Sequence, residues 1–148
     1  MTKAPVLNTF LWFPENMEAA LEFYQAELGA VVHSQNRVGD KTFTATFSIG
    51  GQTIVGMNYP GGPAFNDSIS LSLSVDGQAE IDRYWDAITR DGEESQCGWC
   101  RDAFGVSWQI VPMDLQKHLG NPDPALAAYA NQALMKMRKI IVADFVQN

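Results

Sequence analysis

The chain has 148 residues, of which 46% are hydrophobic and 11% aromatic, so it is long enough to bury a core and too apolar to be disordered. Its formal net charge of −7 argues against nucleic acid or an anionic membrane surface as a partner, because phosphate recognition needs clustered lysine and arginine. Two cysteines do not make a disulfide framework, and no apolar run approaches the roughly 20 residues of a membrane span, so a cytoplasmic protein is expected.

The first half of the sequence predicts the element order βαβββ. An aromatic-rich run from Leu7 to Phe13 is typical of a strand. Asn16 is the predicted N-cap of a helix whose apolar residues recur at helical spacing until Gly29 ends it. Hairpin turns are predicted at Gly39-Asp40 and Gly50-Gly51. The strands on either side of these turns are Ala30 to Arg37, Thr42 to Ile49 and Gln52 to Tyr59.

The second half repeats this order after a break at Pro60 to Pro63. Serines and apolar residues alternate from Ser68 to Val75, which predicts a strand with the two kinds of side chain on opposite faces. A helix is predicted from about Gln78 to Arg90. The segment from Cys97 to Arg101 then leads through a turn into a final strand, Val106 to Val111.

The repeated order predicts two βαβββ modules, the second shortened, in a single α+β domain over residues 1–148. The modules cover about 5–60 and 66–113, and a helical tail covers about 114–148. In the tail, Pro124 follows Asp123 at a predicted helix start. An amphipathic stripe then runs through Leu126, Ala130, Ala133, Leu134, Met137 and Ile141.

Motifs spread over nearly the whole chain carry a family resemblance. They are Phe10–Phe13, Phe23-Tyr24, Ile81–Trp85, Gly92–Trp99, Arg101-Asp102, Phe104–Pro112 and Asn121–Pro124. They resemble the glyoxalase/bleomycin-resistance/dioxygenase (vicinal oxygen chelate) superfamily, and within it the PhnB-like branch often labelled 3-demethylubiquinone-9 3-methyltransferase. The resemblance implies paired modules whose mixed sheet curls around a pocket, with the helices on its outer face, and pockets completed by pairing two chains.

Most enzymes of that superfamily hold a divalent ion with histidine and glutamate side chains from four strands. The resemblance places three of these positions at Thr9, Ser70 and Gln109, and the fourth around residues 56–58. Hydroxyls and an amide lack the charge and basicity that such a site needs, and both histidines lie elsewhere in the sequence. We therefore expect no metal and no cofactor.

The activity in the branch label is not supported by the sequence. A methyltransferase of the nucleotide-binding type needs a glycine-rich turn that joins a strand to a helix. The pairs Gly50-Gly51 and Gly61-Gly62 neither lead from a strand into a helix nor carry an acidic partner for a ribose.

The segment from Cys97 to Cys100 has the spacing of a thioredoxin CxxC motif. That motif depends on a helix N-terminus to lower the thiol pKa, whereas the residues that follow here predict a turn into a strand. A redox or zinc role is therefore not favoured, and Cys97 either lines the pocket or packs in the core.

The alternating serines orient the predicted pocket. If the apolar residues of that strand face the helices, Ser70, Ser72 and Ser74 face the open side. By the same parity Thr9, Leu11, Phe13, Ser107, Gln109 and Val111 lie on the open side, while Phe10, Trp12, Trp108 and Ile110 lie in the core. The alternative is that the serines face water, as in any half-buried sheet. The predicted pocket residues are Thr9, Leu11, Phe13, Asn58, Ser70, Ser72, Cys97, Trp99 and Gln109.

Two functions remain open at this point. The first is a small-molecule-binding protein without a metal, and the second is a metal-independent enzyme that uses Gln109, Cys97 or Asp102. The missing ligand set and general base favour binding. The expected partners are a small organic ligand and a second copy of the chain, since an open sheet leaves edges that pair readily.

Overall fold

The computed structural model of the protein describes residues 1–147 and divides the chain into two compact units. The first unit is Met1–Pro63 and the second begins at Ala64, so the division falls at the predicted break. The first unit contains β1 (Thr9–Phe13), α1 (Met17–Leu28), β2 (Val31–Val38), β3 (Lys41–Ile49) and β4 (Gln52–Asn58). The second contains β5 (Leu71–Val75), α2 (Gln78–Thr89), β6 (Glu93–Glu94), β7 (Trp99–Arg101), β8 (Ser107–Pro112), α3 (Leu115–Leu119), α4 (Pro124–Leu134) and a 3₁₀ turn (Val142–Phe145).

The first unit is a four-stranded sheet in the order β1-β4-β3-β2, with α1 packed on one face. Strands β1 and β4 run parallel, and the two hairpins β2–β3 and β3–β4 are antiparallel. Its core joins Tyr24 of α1 to Phe47 of β3, whose rings stack at 6.2 Å between centroids. Gly29 ends α1 in the left-handed conformation, at φ 67°, where glycine avoids the steric cost of a Cβ atom.

The start of α1 differs from the predicted cap. Asn16 occupies the N-cap position, but its side chain makes no capping hydrogen bond. The backbone N–H of Met17 instead donates to Oδ1 of Asn58 at 2.9 Å, so the end of β4 supplies the cap. Strand β1 also begins later than predicted, at Thr9, because Val6 and Leu7 are exposed and pair with no strand.

The second unit repeats the arrangement, with a sheet in the order β5-β8-β7-β6 and β5 parallel to β8. Helix α2 packs against β8 and β7 through the buried residues Ile81, Trp85 and Ile88, as its spacing predicts. Strand β6 has only two residues, so this is the shortened module. A Cβ atom at Gly92 would lie 2.0 Å from the carbonyl oxygen of Arg101, so the chain after α2 can approach β7 only with glycine there.

The tail folds as part of the second unit. The carboxylate of Asp123 accepts a hydrogen bond from the N–H of Ala125 at 2.9 Å, and Pro124 begins α4 as predicted. The helix ends at Leu134, so Met137 and Ile141 of the predicted stripe lie in an irregular segment. Helix α3 lies within the predicted helical tail, although the sequence predicts no separate start or end for it. Within residues 1–147, every helix falls short of the length and hydrophobicity required to cross a membrane.

Candidate functional site

The open face of the second sheet carries the predicted polar residues. Ser72 of β5 lies opposite Gln109 of β8, and Gln109 lies opposite Trp99 of β7. Cross-strand partners point to the same side of a sheet, so these three side chains share a face. The neighbouring register row, Leu71, Trp108 and Cys100, points to the other side, where the buried residues of α2 pack. The observed register agrees with the alternation predicted for β5 and β8.

Gln109 is the central polar group of this face. Its Nε2 donates a hydrogen bond to Oγ of Ser70 at 3.0 Å, and its side chain is only partly buried. An amide offers two donors and an acceptor, so one N–H and the carbonyl oxygen remain for another partner. Trp99 is also half-buried and Ser72 is exposed. The face therefore combines hydrogen-bonding groups with one large aromatic ring.

An ionic cluster occupies the same face beyond Gln109. The carboxylate of Asp67 accepts hydrogen bonds from the hydroxyl of Ser107 and, at 3.0 Å, from the guanidinium of Arg101. Arg101 also lies 3.6 Å from a carboxylate oxygen of Glu93. The hydrogen bond from Ser107, followed by that from Arg101, lowers the pKa of Asp67, so this carboxylate is ionised at neutral pH. The sequence prediction missed the cluster because no spacing rule links positions 34 residues apart.

The predicted orientation of β1 is wrong. Phe13 is fully buried on the side of α1, since a Cβ atom at Gly56 would meet both Phe13 and Met17. Leu11, which is 7% exposed, shares that face by alternation, and so does Thr9. These three side chains therefore lie on the covered face of the first sheet rather than on its open face.

The two aromatic residues predicted to be core at β1 lie on the opposite side. Phe10 is 57% exposed, and Trp12 donates from Nε1 to the carbonyl oxygen of Tyr59 at 2.7 Å. The segment from Phe10 to Phe13 is apolar at every position, so its composition does not determine which face of the sheet each side chain occupies. The packing of Phe13 against Met17 and Gly56 determines this instead.

Asn58, another predicted pocket residue, has both ends of its amide in use. Its Oδ1 accepts from the N–H of Met17, and its Nδ2 donates to the carbonyl oxygen of Thr42 at 3.1 Å. The side chain therefore ties β4 to α1 and β3 within the first unit.

The two cysteines have different environments. Cys100 is 2% exposed, and burial, reinforced by the nearby carboxylates of Asp102 and Glu94, raises the pKa of its thiol to about 12. Cys97 is half-buried, and its backbone, at φ 60°, donates an N–H to the carbonyl oxygen of Met137. Both are free thiols, and β7 rather than a helix follows Cys97. In a CxxC redox pair the first cysteine lies at the N-terminus of a helix, and Cys97 has no such position.

Asp102, one of the residues named for the enzyme alternative, holds the turn before β8. Its Oδ1 accepts from the N–H groups of Phe104 and Val106, and its Oδ2 accepts from Nε1 of Trp108 at 2.9 Å. The side chain is buried, and both oxygens are engaged within the fold. The arrangement is that of a structural carboxylate.

The residues present do not fit the divalent ion that the superfamily implies. Within residues 1–147, histidine, cysteine, aspartate and glutamate side chains form no group of three that is arranged to hold an ion. At the expected positions, the amide nitrogen of Gln109 donates to the hydroxyl of Ser70, and Thr9 lies on the helix-covered face of its sheet. Neutral hydroxyls and an amide are poor ligands for such an ion.

Comparison with known proteins identifies relatives of this fold. The sequence model of a family described as "3-demethylubiquinone-9 3-methyltransferase" matches residues 5–111. No curated protein matches the sequence. The fold is similar to that of a putative 3-demethylubiquinone-9 3-methyltransferase, PhnB protein, from Bacillus cereus, with 24% identity and a TM-score of 0.67 over 73% of this chain and 99% of that one.

Two further solved structures have a similar fold. A glyoxylase/bleomycin resistance protein/dioxygenase domain from Frankia sp. is 18% identical, with a TM-score of 0.53 over 75% of this chain and 98% of that one. The fosfomycin resistance protein FosX from Mesorhizobium loti is 12% identical, with a TM-score of 0.61 over 81% of this chain and 100% of that one. At these identities the likeness is one of fold.

Proposed function

The chain belongs to the family described as 3-demethylubiquinone-9 3-methyltransferase, a PhnB-like branch of the vicinal oxygen chelate superfamily, and we propose that it binds a small organic molecule on the open face of its second sheet. The observation that carries this proposal is the half-buried amide of Gln109, held by Ser70 and flanked by Trp99 and Ser72. Binding sites combine a few oriented polar groups with aromatic surface, and this face offers both.

The chemistry of the face favours an uncharged or weakly polar ligand. Ser70 fixes one N–H of the Gln109 amide, which leaves an oriented acceptor and a donor for a carbonyl, hydroxyl or amide group. Trp99 supplies a flat apolar surface against which a ring can stack. The ionic cluster sets the carboxylates of Asp67 and Glu93 against the single guanidinium of Arg101, so it disfavours an anionic ligand at this end of the face.

We do not transfer the activity in the family description to this chain. Gly50 and Gly51 form the turn between β3 and β4, and Gly62 packs so tightly on the indole of Trp12 that a Cβ atom would lie 2.4 Å from Cε2. Neither glycine pair opens a helix where a nucleotide phosphate would bind. Of the residues that a metal-independent enzyme was expected to use, Asp102 is engaged in the fold, which disfavours that alternative.

The test is the variant Gln109→Leu. The matched control is Gln52→Leu, because Gln52 is an exposed glutamine at the start of β4. Native mass spectrometry of the purified protein identifies a bound molecule, and calorimetry with that molecule measures its affinity. We expect Gln109→Leu to lose about 1–3 kcal/mol of binding free energy, as for a hydrogen bond left unmade, with little change in melting temperature. The control variant keeps the affinity of the wild type.

A structural role for Gln109 predicts the reverse. In that case Gln109→Leu lowers the melting temperature, while the affinity of the ligand stays unchanged. That result contradicts the proposed site.

A further inference from the structure

The first unit contains a cleft of about 700 Å³ that shares no residue with the site proposed above. It is formed by the start of α1, the turn between β2 and β3, and the end of β4. Its volume lies in the range of small-molecule sites. Of the pocket residues predicted from the sequence, Asn58 alone lines this cleft.

The floor of the cleft is held in place by hydrogen bonds. Thr42 is 2% exposed, and its N–H donates to Oε1 of Glu18 at 3.0 Å. The carbonyl oxygen of Thr42 accepts from Asn58, whose other amide end accepts from the N–H of Met17. These contacts join α1, β3 and β4, so the carboxylate of Glu18 is positioned before any ligand arrives. A preorganised group loses less conformational entropy on binding.

The walls of the cleft are apolar and largely uncovered. Val38 is 65% exposed and Tyr59 is 55% exposed, and Phe43 between them is half-buried. Tyr59 is held by its backbone, which accepts from Nε1 of Trp12 and donates to the carbonyl oxygen of Phe13. Uncovered apolar side chains around a concave surface favour a ligand with an apolar body.

The charges at the cleft favour a cation. Glu15, Glu18 and Asp40 line it together with Lys41. The guanidinium of Arg37 lies beside them and donates to the carbonyl oxygen of Asp40 and to Oγ1 of Thr42. Three carboxylates against two cationic side chains leave one negative charge, which the roughly half a positive charge at the N-terminus of α1 does not offset. An anion is therefore disfavoured, and a protonated amine or guanidinium is favoured.

We propose that this cleft binds a small organic cation, with the cationic group at Glu18 and an apolar body against Phe43 and Tyr59. Oε1 of Glu18 already accepts from Thr42, and Oε2 remains to accept from the ligand. The proposal is independent of the function assigned to the second sheet, because it concerns different residues in a different unit.

The test uses three probes of nearly the same shape: phenethylamine, 2-phenylethanol and 3-phenylpropanoate. Each is titrated into the ¹⁵N-labelled full-length protein and followed through backbone amide resonances. We expect saturable shifts at Thr42 and Tyr59 with the amine, and up to about fivefold weaker binding of the alcohol and the acid, the ratio that an exposed ion pair supports. Added salt weakens binding of the amine.

Glu18→Gln removes the charge but keeps an oxygen to accept from Thr42, so the floor of the cleft is preserved. Glu22→Gln, on the exposed side of α1 and outside the cleft, is the matched control. We expect the first variant to lose about fivefold in affinity for phenethylamine and the second to match the wild type. Equal binding of all three probes, no saturable binding of the amine, or shifts confined to other residues would overturn the proposal.

Discussion

Cys100 makes the stability of the protein depend on alkaline pH. Burial raises its thiol pKa from an ordinary value of 9.0 to about 12, so the folded state holds the thiol proton more tightly than the unfolded state. A group whose folded pKa is raised contributes stability below its unfolded pKa, and that contribution is lost as the pH rises through the interval. The loss here falls between about pH 9 and pH 12.

The measurement is urea unfolding at about pH 8 and about pH 10.5, for the wild type and for Cys100→Ala. The difference in unfolding free energy between them isolates the thiol, because other alkaline titrations occur in both proteins. Between these two pH values, we expect the unfolding free energy of the wild type to fall by about 2 kcal/mol relative to that of Cys100→Ala. An unchanged difference would show that the thiol is solvated, and would contradict its assigned burial.

At the scale of elements, most strands and both module helices were predictable because their signals are local. Glycine stops α1, and glycine pairs or Gly-Asp mark the hairpins, so their positions agree with the structure to within a residue or two. Helix α3 has five residues and no buried side chain, so it left no hydrophobic period to recognise. The cap of α1 was not predictable, since Asn58 reaches it from 41 residues away.

The candidate site was predictable only where the sequence alternates. In β5, serine and aliphatic residues alternate strictly, and this fixes which side of the sheet each faces. In β1, Phe10, Leu11, Trp12 and Phe13 are all apolar, so either face satisfies the pattern and only packing against α1 decides. If the faces of a strand are assigned one position out of step, every side chain is placed on the wrong face. The three predicted pocket residues of β1 were therefore wrongly oriented together.

Several contacts fasten the tail to the second unit, and the side chain of Gln78 makes two of them. Gln78, at the start of α2, donates from Nε2 to the carbonyl oxygen of Ile140 at 2.9 Å and accepts at Oε1 from the N–H of Val142 at 2.8 Å. Ile140 is fully buried, and its Cδ1 would lie 2.8 Å from a Cβ atom at Gly98. The ammonium of Lys139 lies 2.9 Å from a carboxylate oxygen of Asp82.

We expect Gln78→Ala to destabilise the tail, because two partly buried backbone groups lose their partners at about 1–3 kcal/mol. Trypsin should then cut after Arg138 or Lys139 faster than in the wild type, with the sites read by mass spectrometry. Gln132→Ala, on the exposed side of α4, is the control and should leave the cleavage rate unchanged. Equal rates for Gln78→Ala and the wild type would mean that other contacts hold the tail.

At the scale of the whole molecule, the tail lies outside the part of the chain that the family model matches. The family model ends at residue 111, before α3, α4 and the 3₁₀ turn. Part of its predicted stripe is satisfied within the chain, since Ala130 and Met137 are buried, whereas Leu126 is 53% exposed. The tail therefore does not by itself require a second chain, and an argument for assembly has to come from the sheets.

We propose that the protein forms a homodimer through the exposed edge of its first sheet. Strand β2 is an edge strand of eight residues, nearly all exposed, and Val31 at its start is 54% exposed. Long uncovered edges pair readily with another chain, and added lysines oppose such pairing.

Sedimentation velocity at micromolar concentration should give a dimer for the wild type and a monomer for the double variant Val31→Lys/Asn36→Lys. Val6→Lys, which adds a charge at an 82% exposed valine outside the strands, should remain dimeric. A wild-type protein that sediments as a clean monomer would remove the proposal, and a double variant that stays dimeric would move the interface away from β2.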